Sequence, residues 1–290
     1  MLKKRLIAVL TIKQGIVVQT INFERYLPVG KPKIAVEYLN QWGIDEIVFV
    51  DIDASARGEC ISPKLVQEVS RFTHSPLTVG GGIRTVDQMK ELIASGADKI
   101  SINRACREDK KLISRGAEIF GNQCIMVSLD IQKTDGKYEV YDHVEKRSTG
   151  LDPISYAREV EKLGAGEILA NFVHRNGSKQ GYDLEMAQSL SSAVGIPVII
   201  CGGVGHPKHF VEGLNIPNVS AVAAGNFFHY QEHSAVVAKR YILQNSKQPV
   251  RLDSYVNYQE SGLDQDGRLS KKDDAELEKL FFEFHQREII

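Results

Sequence analysis

The 290-residue chain predicts an α/β fold, a (βα)8 barrel built from two duplicated half-barrels with a helical extension at its C-terminal end. Three observations carry that expectation. Eight short apolar runs alternate with stretches of helical spacing, the pattern of parallel α/β architecture. One glycine-ended run, Val79-Gly80-Gly81-Gly82-Ile83, recurs as Ile200-Cys201-Gly202-Gly203-Val204, 121 residues from Gly81 to Gly202. At the same offset Gly43-Ile44-Asp45-Glu46-Ile47 is answered by Gly164-Ala165-Gly166-Glu167-Ile168, and Ser75-Pro76-Leu77 by Ile196-Pro197-Val198. Landmarks matched at one spacing are the signature of an internal repeat.

The expected strands are Leu6–Leu10, Glu46–Val50, Leu77–Val79, Lys99–Ile102, Ile125–Leu129, Glu167–Ala170, Val198–Ile200 and Ala221–Ala224. Their near-continuous apolar character suits strands covered on both faces. Helical spacing appears between them, in Ile34-Ala35-Tyr38-Leu39-Trp42, Leu65-Val66-Val69, Met89-Leu92-Ile93, Ile113-Ala117-Phe120, Tyr156-Ala157-Val160-Leu163, Met186-Leu190 and Phe210-Leu214. A doubly wound open sheet is the competing architecture. Its dinucleotide-binding form would place a GxGxxG turn after the first strand, where this chain has Lys13-Gln14-Gly15-Ile16-Val17. The barrel is expected over residues 1–251. Residues 252–290 are expected as a polar linker and a capped amphipathic helix, with Leu277, Leu280, Phe281 and Phe284 forming its apolar stripe.

Composition narrows the function classes. With 36 basic and 37 acidic residues the formal net charge is −1, so no chain-wide field favours nucleic acid or a membrane surface. No apolar run approaches the roughly 18 residues of a membrane span, and Met1-Leu2-Lys3-Lys4-Arg5-Leu6-Ile7 leads into a strand without a secretory h-region. A cytoplasmic protein is expected. Cys60, Cys106, Cys124 and Cys201 show no CxxC spacing, so neither a disulfide framework nor a zinc site is expected; no His/Asp/Glu spacing compels a metal, and no cofactor is expected.

In a (βα)8 barrel, substrates bind where the strand C-termini and the following loops converge. Gly81 and Gly82 follow strand three, Gly202 and Gly203 strand seven, Asn103 strand four, and Ala224 and Gly225 strand eight. Glycine lets backbone N–H groups approach an anion closely, so each strand pair can cradle a phosphate. Two cradles suit a ligand with a phosphate at each end. Asp130 ends strand five, where a general acid or base would sit. The repeat sets Thr11 opposite it, and Asp51 and Asp53 end strand two opposite Phe172 and His174. Cys201, His143 and His174 have no role legible from sequence.

From Arg5 to about Arg251 the chain resembles the cyclase subunit of imidazole glycerol phosphate synthase, the HisF family. The residues that carry the resemblance are Phe49-Val50-Asp51-Ile52, Leu77–Arg84, the run from Gly96 to Asn103, Gly121-Asn122-Gln123-Cys124, Gly164–Leu169, Gly181-Tyr182-Asp183 and Phe228-His229-Tyr230. The resemblance implies a barrel that takes ammonia from a glutamine amidotransferase docked on its N-terminal face. It also implies a charged gate at the barrel bottom, matched by Arg5, Glu46, Lys99 and Glu167, and a docking-face aspartate, matched by Asp98. The family's two catalytic aspartates fall on Thr11 and Asp130, so one of the pair is a hydroxyl. Its substrate-contacting lysine falls on Gln19, its Thr and Asp after strand six on Asn171 and Asn176, beside Gly177, and its serines on Cys201 and on Gly225 or Asn226. The expectation is a HisF-like subunit that delivers ammonia for acetamido-to-acetamidino modification of a surface-polysaccharide sugar, with a phosphorylated small molecule or sugar nucleotide as ligand. A true histidine-pathway cyclase and a non-catalytic scaffold for the glutaminase are the alternatives.

Overall fold

The computed structural model describes residues 3–230, 232–254, 256, 258, 262, 270 and 275. All eight expected strands are present, as Arg5–Lys13, Glu46–Asp51, Leu77–Gly80, Lys99–Ile102, Ile125–Thr134, Glu167–Phe172, Val198–Cys201 and Val219–Ala224. Each pairs in parallel with the next, and the eighth pairs with the first, Arg5 opposite Ala221, so the sheet closes without an edge. The result is a closed (βα)8 TIM barrel.

Closure sorts the side chains by the period of two that a pleated strand imposes. Leu6, Ala8, Leu10 and Ile12 of strand one point outward into the large core between sheet and helices. Ile7 points inward and joins Val48, Met126, Leu169, Ile199, Cys201, Ala221 and Ala223 in a separate cluster filling the barrel, with Val9 and Val50 packed on it. The helices begin where their sequences supply caps. Ser62 accepts from Leu65 N ahead of Pro63–Ser70, Thr85 and Gln88 form a reciprocal capping box, and Asp152 and Asp183 cap Pro153–Lys162 and Leu184–Ala193.

The duplication extends to backbone contacts. A side chain on Gly81 would meet the Asp51 carbonyl at 2.5 Å, and one on Gly202 would meet the Phe172 carbonyl at 2.7 Å. Asp51 and Phe172 are themselves one repeat apart. Both glycines also have positive φ, 123° and 109°, so the twin turns need glycine for conformation as well as for space.

Two strands continue past their expected ends into antiparallel arms. Strand one continues past Leu10 to Lys13, turns at Gln14-Gly15 and returns antiparallel as Ile16–Ile21, which pairs with Arg25–Gly30. Strand five continues past Leu129 to Thr134, turns at Asp135-Gly136 and returns as Lys137–Asp142. Gln14, Gly15, Asp135 and Gly136 all have positive φ, the backbone that a two-residue hairpin demands. Parallel alternation concealed these antiparallel arms. A further helix, Ser234–Asn245, completes the last unit beyond the Phe210–Leu214 stretch read from sequence.

Past that helix, Val250 forms a parallel bridge with Lys4, and Tyr258 is buried against Gly43. The amphipathic helix expected around Leu277–Phe284 lies outside the described residues. Among the described residues, no helix is long and apolar enough to cross a membrane.

Candidate functional site

A cavity of about 270 Å³ opens at the C-terminal ends of the strands. Thr11, Asp51, Gly81, Gly82, Asn103, Asp130, Asn176, Gly177, Gly202, Gly203, Ala224 and Gly225 all line it, whereas Gln19 and Asp53 do not, Asp53 pairing instead with Lys13 at 2.7 Å. Its wall also includes residues that sequence reading missed. Phe23, Glu24 and Tyr26 come from the strand-one hairpin, and Tyr141 and Lys146 from the strand-five arm. Phe23 and Tyr141 meet edge to face, with ring centroids 6.5 Å apart, so the two arms touch. Their Gln14-Gly15 and Asp135-Gly136 turns were the available signal.

Asp130 is 4% exposed and held on both oxygens. Asn103 Nδ2 donates to Oδ2 at 2.8 Å and Asn171 Nδ2 to Oδ1 at 2.9 Å. Asp130 is registered with Asn171, and Thr11 with Val50 on the equivalent strand of the other half. Thr11 therefore occupies Asp130's place in the repeat. A hydroxyl there can donate or accept a hydrogen bond but cannot act as a carboxylate base.

Other rim side chains are already committed to the protein. Asp51 accepts from the backbone N–H groups of Asp53 and Ala54 at 3.0 and 3.1 Å and pairs with Arg57 at 3.0 Å. Asn176 donates to Thr20 Oγ1 at 2.8 Å and accepts from Phe23 N at 3.4 Å, while Asn226 bonds the Thr20 backbone on both sides. Both asparagines thus clamp the strand-one hairpin over the cavity. Burial pushes the Cys201 thiol up to about 12, with Gly202 N–H opposing and Asp130 adding to the rise, so it is a small buried hydrophobe rather than a nucleophile. His174 sits apart from the cavity lining, 2.9 Å from Asp183.

The opposite end of the barrel carries a closed ring of charge. Arg5 reaches Glu46 and Glu167, each at 2.7 Å. Lys99 reaches Glu46 at 3.1 Å and Glu167 at 2.6 Å, and Thr78 donates to Glu46 at 2.9 Å. Burial weakens the Arg5 guanidinium, but Glu167 and Glu46 outweigh it and raise its pKa. Between this ring and the cavity lie the apolar side chains of Ile7, Val48, Met126, Ile199 and Ala221. Asp98 is exposed at the same end, accepting from Leu77 N at 2.7 Å. Among the described residues, no cluster of His, Cys, Asp or Glu could hold a metal ion.

A family model described as histidine biosynthesis protein matches residues 5–234. The chain is 41% identical over 268 residues to a Vibrio vulnificus (strain YJ016) protein provisionally named imidazole glycerol phosphate synthase subunit hisF2, covering 92% of this chain and 98% of that one. It is 42% identical over 244 residues to imidazole glycerol phosphate synthase subunit HisF of Clostridium botulinum (strain Langeland), covering 83% and 96%. The chain belongs to the HisF family. Within the HisF family frame, the ring at Arg5, Glu46, Lys99 and Glu167 and the cavity at Asp130 lie at opposite ends of one barrel. The match to the Vibrio vulnificus protein takes in 268 of 290 residues and so necessarily runs past Arg251.

Proposed function

We propose that this chain is the synthase subunit of a glutamine-dependent system, receiving ammonia from a glutaminase partner at the Arg5–Glu46–Lys99–Glu167 end. Ammonia passes through the barrel to an acceptor in the rim cavity. Asp98, exposed beside the ring, belongs to the partner's docking face. The glycine pairs Gly81-Gly82 and Gly202-Gly203, with Asn103, Gly177, Ala224 and Gly225, bind the anionic ends of the acceptor. The acceptor is a sugar or sugar nucleotide whose acetamido group becomes acetamidino, as in surface-polysaccharide synthesis.

One observation carries this reading: the charge ring is complete while the carboxylate pair at the rim is half gone, Thr11 standing in Asp130's place. Loss of a positioned acid or base costs about 10²–10⁴ in rate, which disfavours the family's cyclisation and leaves delivery of ammonia intact. Similarity to proteins named as imidazole glycerol phosphate synthase subunits supports the HisF frame that this reading shares with the next. A second reading, a histidine-pathway cyclase, draws on Asp130 and on the two retained cradles, which suit a bisphosphate. The discriminating experiment supplies the family's bisphosphate substrate with ammonium and follows imidazole glycerol phosphate. Negligible turnover is expected, and robust turnover would move the assignment to the cyclase.

A further inference from the structure

His143 lines the cavity from the strand-five arm and has no counterpart in the aspartate pair. We propose that His143 is the proton-carrying residue of this site, oriented by Asp130, in place of the carboxylate that position 11 lacks. The proposal rests on the reading of the rim cavity as the reacting site.

Three features of the geometry point to it. His143 Nδ1 lies 3.3 Å from Asp130 Oδ2, yet it is sealed from solvent and makes no hydrogen bond. The separation lies just beyond the ordinary hydrogen-bond range, within reach of a small movement of the ring. A buried ring nitrogen without a partner is costly, and the Asp130 carboxylate is the acceptor within reach. Asp130 itself is pinned by Asn103 and Asn171, so the pair closes by rotation of the imidazole.

The loop carrying His143 is anchored at the residue before it. Asp142, 7% exposed, accepts from Val144 N and Glu145 N, both at 2.9 Å, and from Arg104 and Arg107 at 3.1 and 2.9 Å. With Nδ1 turned to Asp130, Nε2 is the nitrogen left for a ligand. A carboxylate-oriented imidazole is the usual arrangement for moving a proton at a reacting atom.

Several other ionisable groups lining the cavity are less suited. Arg84, Arg104 and Lys146 are cations and Asp51 is spent on Arg57 and two backbone N–H groups. Glu24 is exposed on the hairpin turn, and burial raises the Tyr141 phenol, with Glu24 and Asp130 adding to the effect. In the proposed step, neutral His143 takes one proton at Nε2 from the ammonia-derived nitrogen as that nitrogen bonds to carbon. Nδ1–H stays on Asp130. The imidazolium returns that proton to the former acetamido oxygen, and a second proton follows the same route from nitrogen to oxygen, so that the C–O bond breaks with release of water as the C=N bond forms and the ring ends neutral.

The test uses the full chain labelled with ¹⁵N-histidine, with the His143 signal assigned by its loss in His143→Gln. Long-range ¹⁵N–¹H correlation of the neutral ring should show the proton on Nδ1, and Asp130→Asn should shift the ring toward the Nε2–H form. An Nε2–H ring in the unsubstituted chain, or one indifferent to Asp130→Asn, would overturn the proposal. In ammonia-dependent turnover His143→Gln should lower kcat by about 10²-fold or more with KM for the acceptor little changed. Adding Thr11→Asp to that variant should restore activity at least tenfold, to about the scale of one positioned acid or base. An unaltered kcat, or a loss that Thr11→Asp leaves in place, would equally overturn it. Should the acceptor reading itself fail, the unsubstituted chain shows no turnover while the tautomer measurement still decides the pairing.

Discussion

Tyr258 occupies the space that a side chain on Gly43 would need. Its hydroxyl bonds Ser254 Oγ at 2.7 Å and the Gly43 carbonyl at 3.3 Å, and its ring lies 5.4 Å from Lys239 Nζ. Lys239 is in turn buried against Asp45 at 2.6 Å, and Asp45 accepts from Leu6 N at 2.7 Å. Leu6 and Asp45 directly adjoin Arg5 and Glu46. Ser254 and Tyr258 are therefore fastened at the end that carries the charge ring.

Gly43 and Gly58 separate space from conformation, because their φ values are 76° and 73° but only Gly43 has neighbours within 4 Å of an added Cβ. Gly58→Ala should cost about 1–2 kcal/mol for the left-handed backbone alone. Gly43→Ala should cost about 2 kcal/mol more, because Tyr258 must leave its site. Denaturant titration of both variants measures the difference, and equal losses would show that Tyr258 contributes nothing there.

Lys99→Met should lower stability by about 1–3 kcal/mol. Removing one member of a buried pair costs roughly 3–5 kcal/mol, but Lys99 is partly exposed and Arg5 still faces both carboxylates. With a glutaminase partner, the variant should transfer less nitrogen to acceptor per glutamine hydrolysed. An unchanged ratio in a folded Lys99→Met complex would remove the support for a guided ammonia path.

Thr11→Asp restores a carboxylate at the position equivalent to Asp130. Cyclisation of the family's bisphosphate substrate should then rise by about 10²–10⁴ over the unsubstituted chain. Adding Asp130→Asn should erase the gain. Steady-state formation of imidazole glycerol phosphate reads both.

Asp183 offers a pH test away from the cavity. Burial pushes its carboxyl up, but His174, the Met186 N–H and Tyr138 together bring it down from 3.8 to about 2. A depressed carboxylate stabilises the fold fully above its unfolded pKa and loses that contribution as pH falls from about 4 through 2. Asp183→Asn can still cap Leu184–Ala193, yet should lose about 1–2 kcal/mol at pH 7. The difference from the unsubstituted chain should shrink below pH 4. Parallel pH–stability curves would refute the assignment.

Strand order and duplication were legible because a strand buried on both faces is continuously apolar and a glycine turn recurs visibly. The rim residues followed, since any strand's C-terminal end in such a barrel faces the ligand end. The arms at Gln14-Gly15 and Asp135-Gly136 were not read, because antiparallel extensions share none of the spacing of a parallel repeat. With them went Phe23, Tyr141 and the cavity's upper wall. Asn176 was legible as a rim residue, but its bond to Thr20 lies between residues 156 apart in sequence.

By itself the sequence determined the eight strands, the two-fold repeat and the residue types at either end of the barrel, including Thr11 opposite Asp130. Those properties reside in local pattern and composition along the chain. Tertiary structure alone decided which of these residues are engaged and with what. Closure brings Arg5, Glu46, Lys99 and Glu167 into one ring, sets His143 beside Asp130 and lays Tyr258 over Gly43. Such contacts join residues far apart in the chain and depend on distances that only the folded barrel defines.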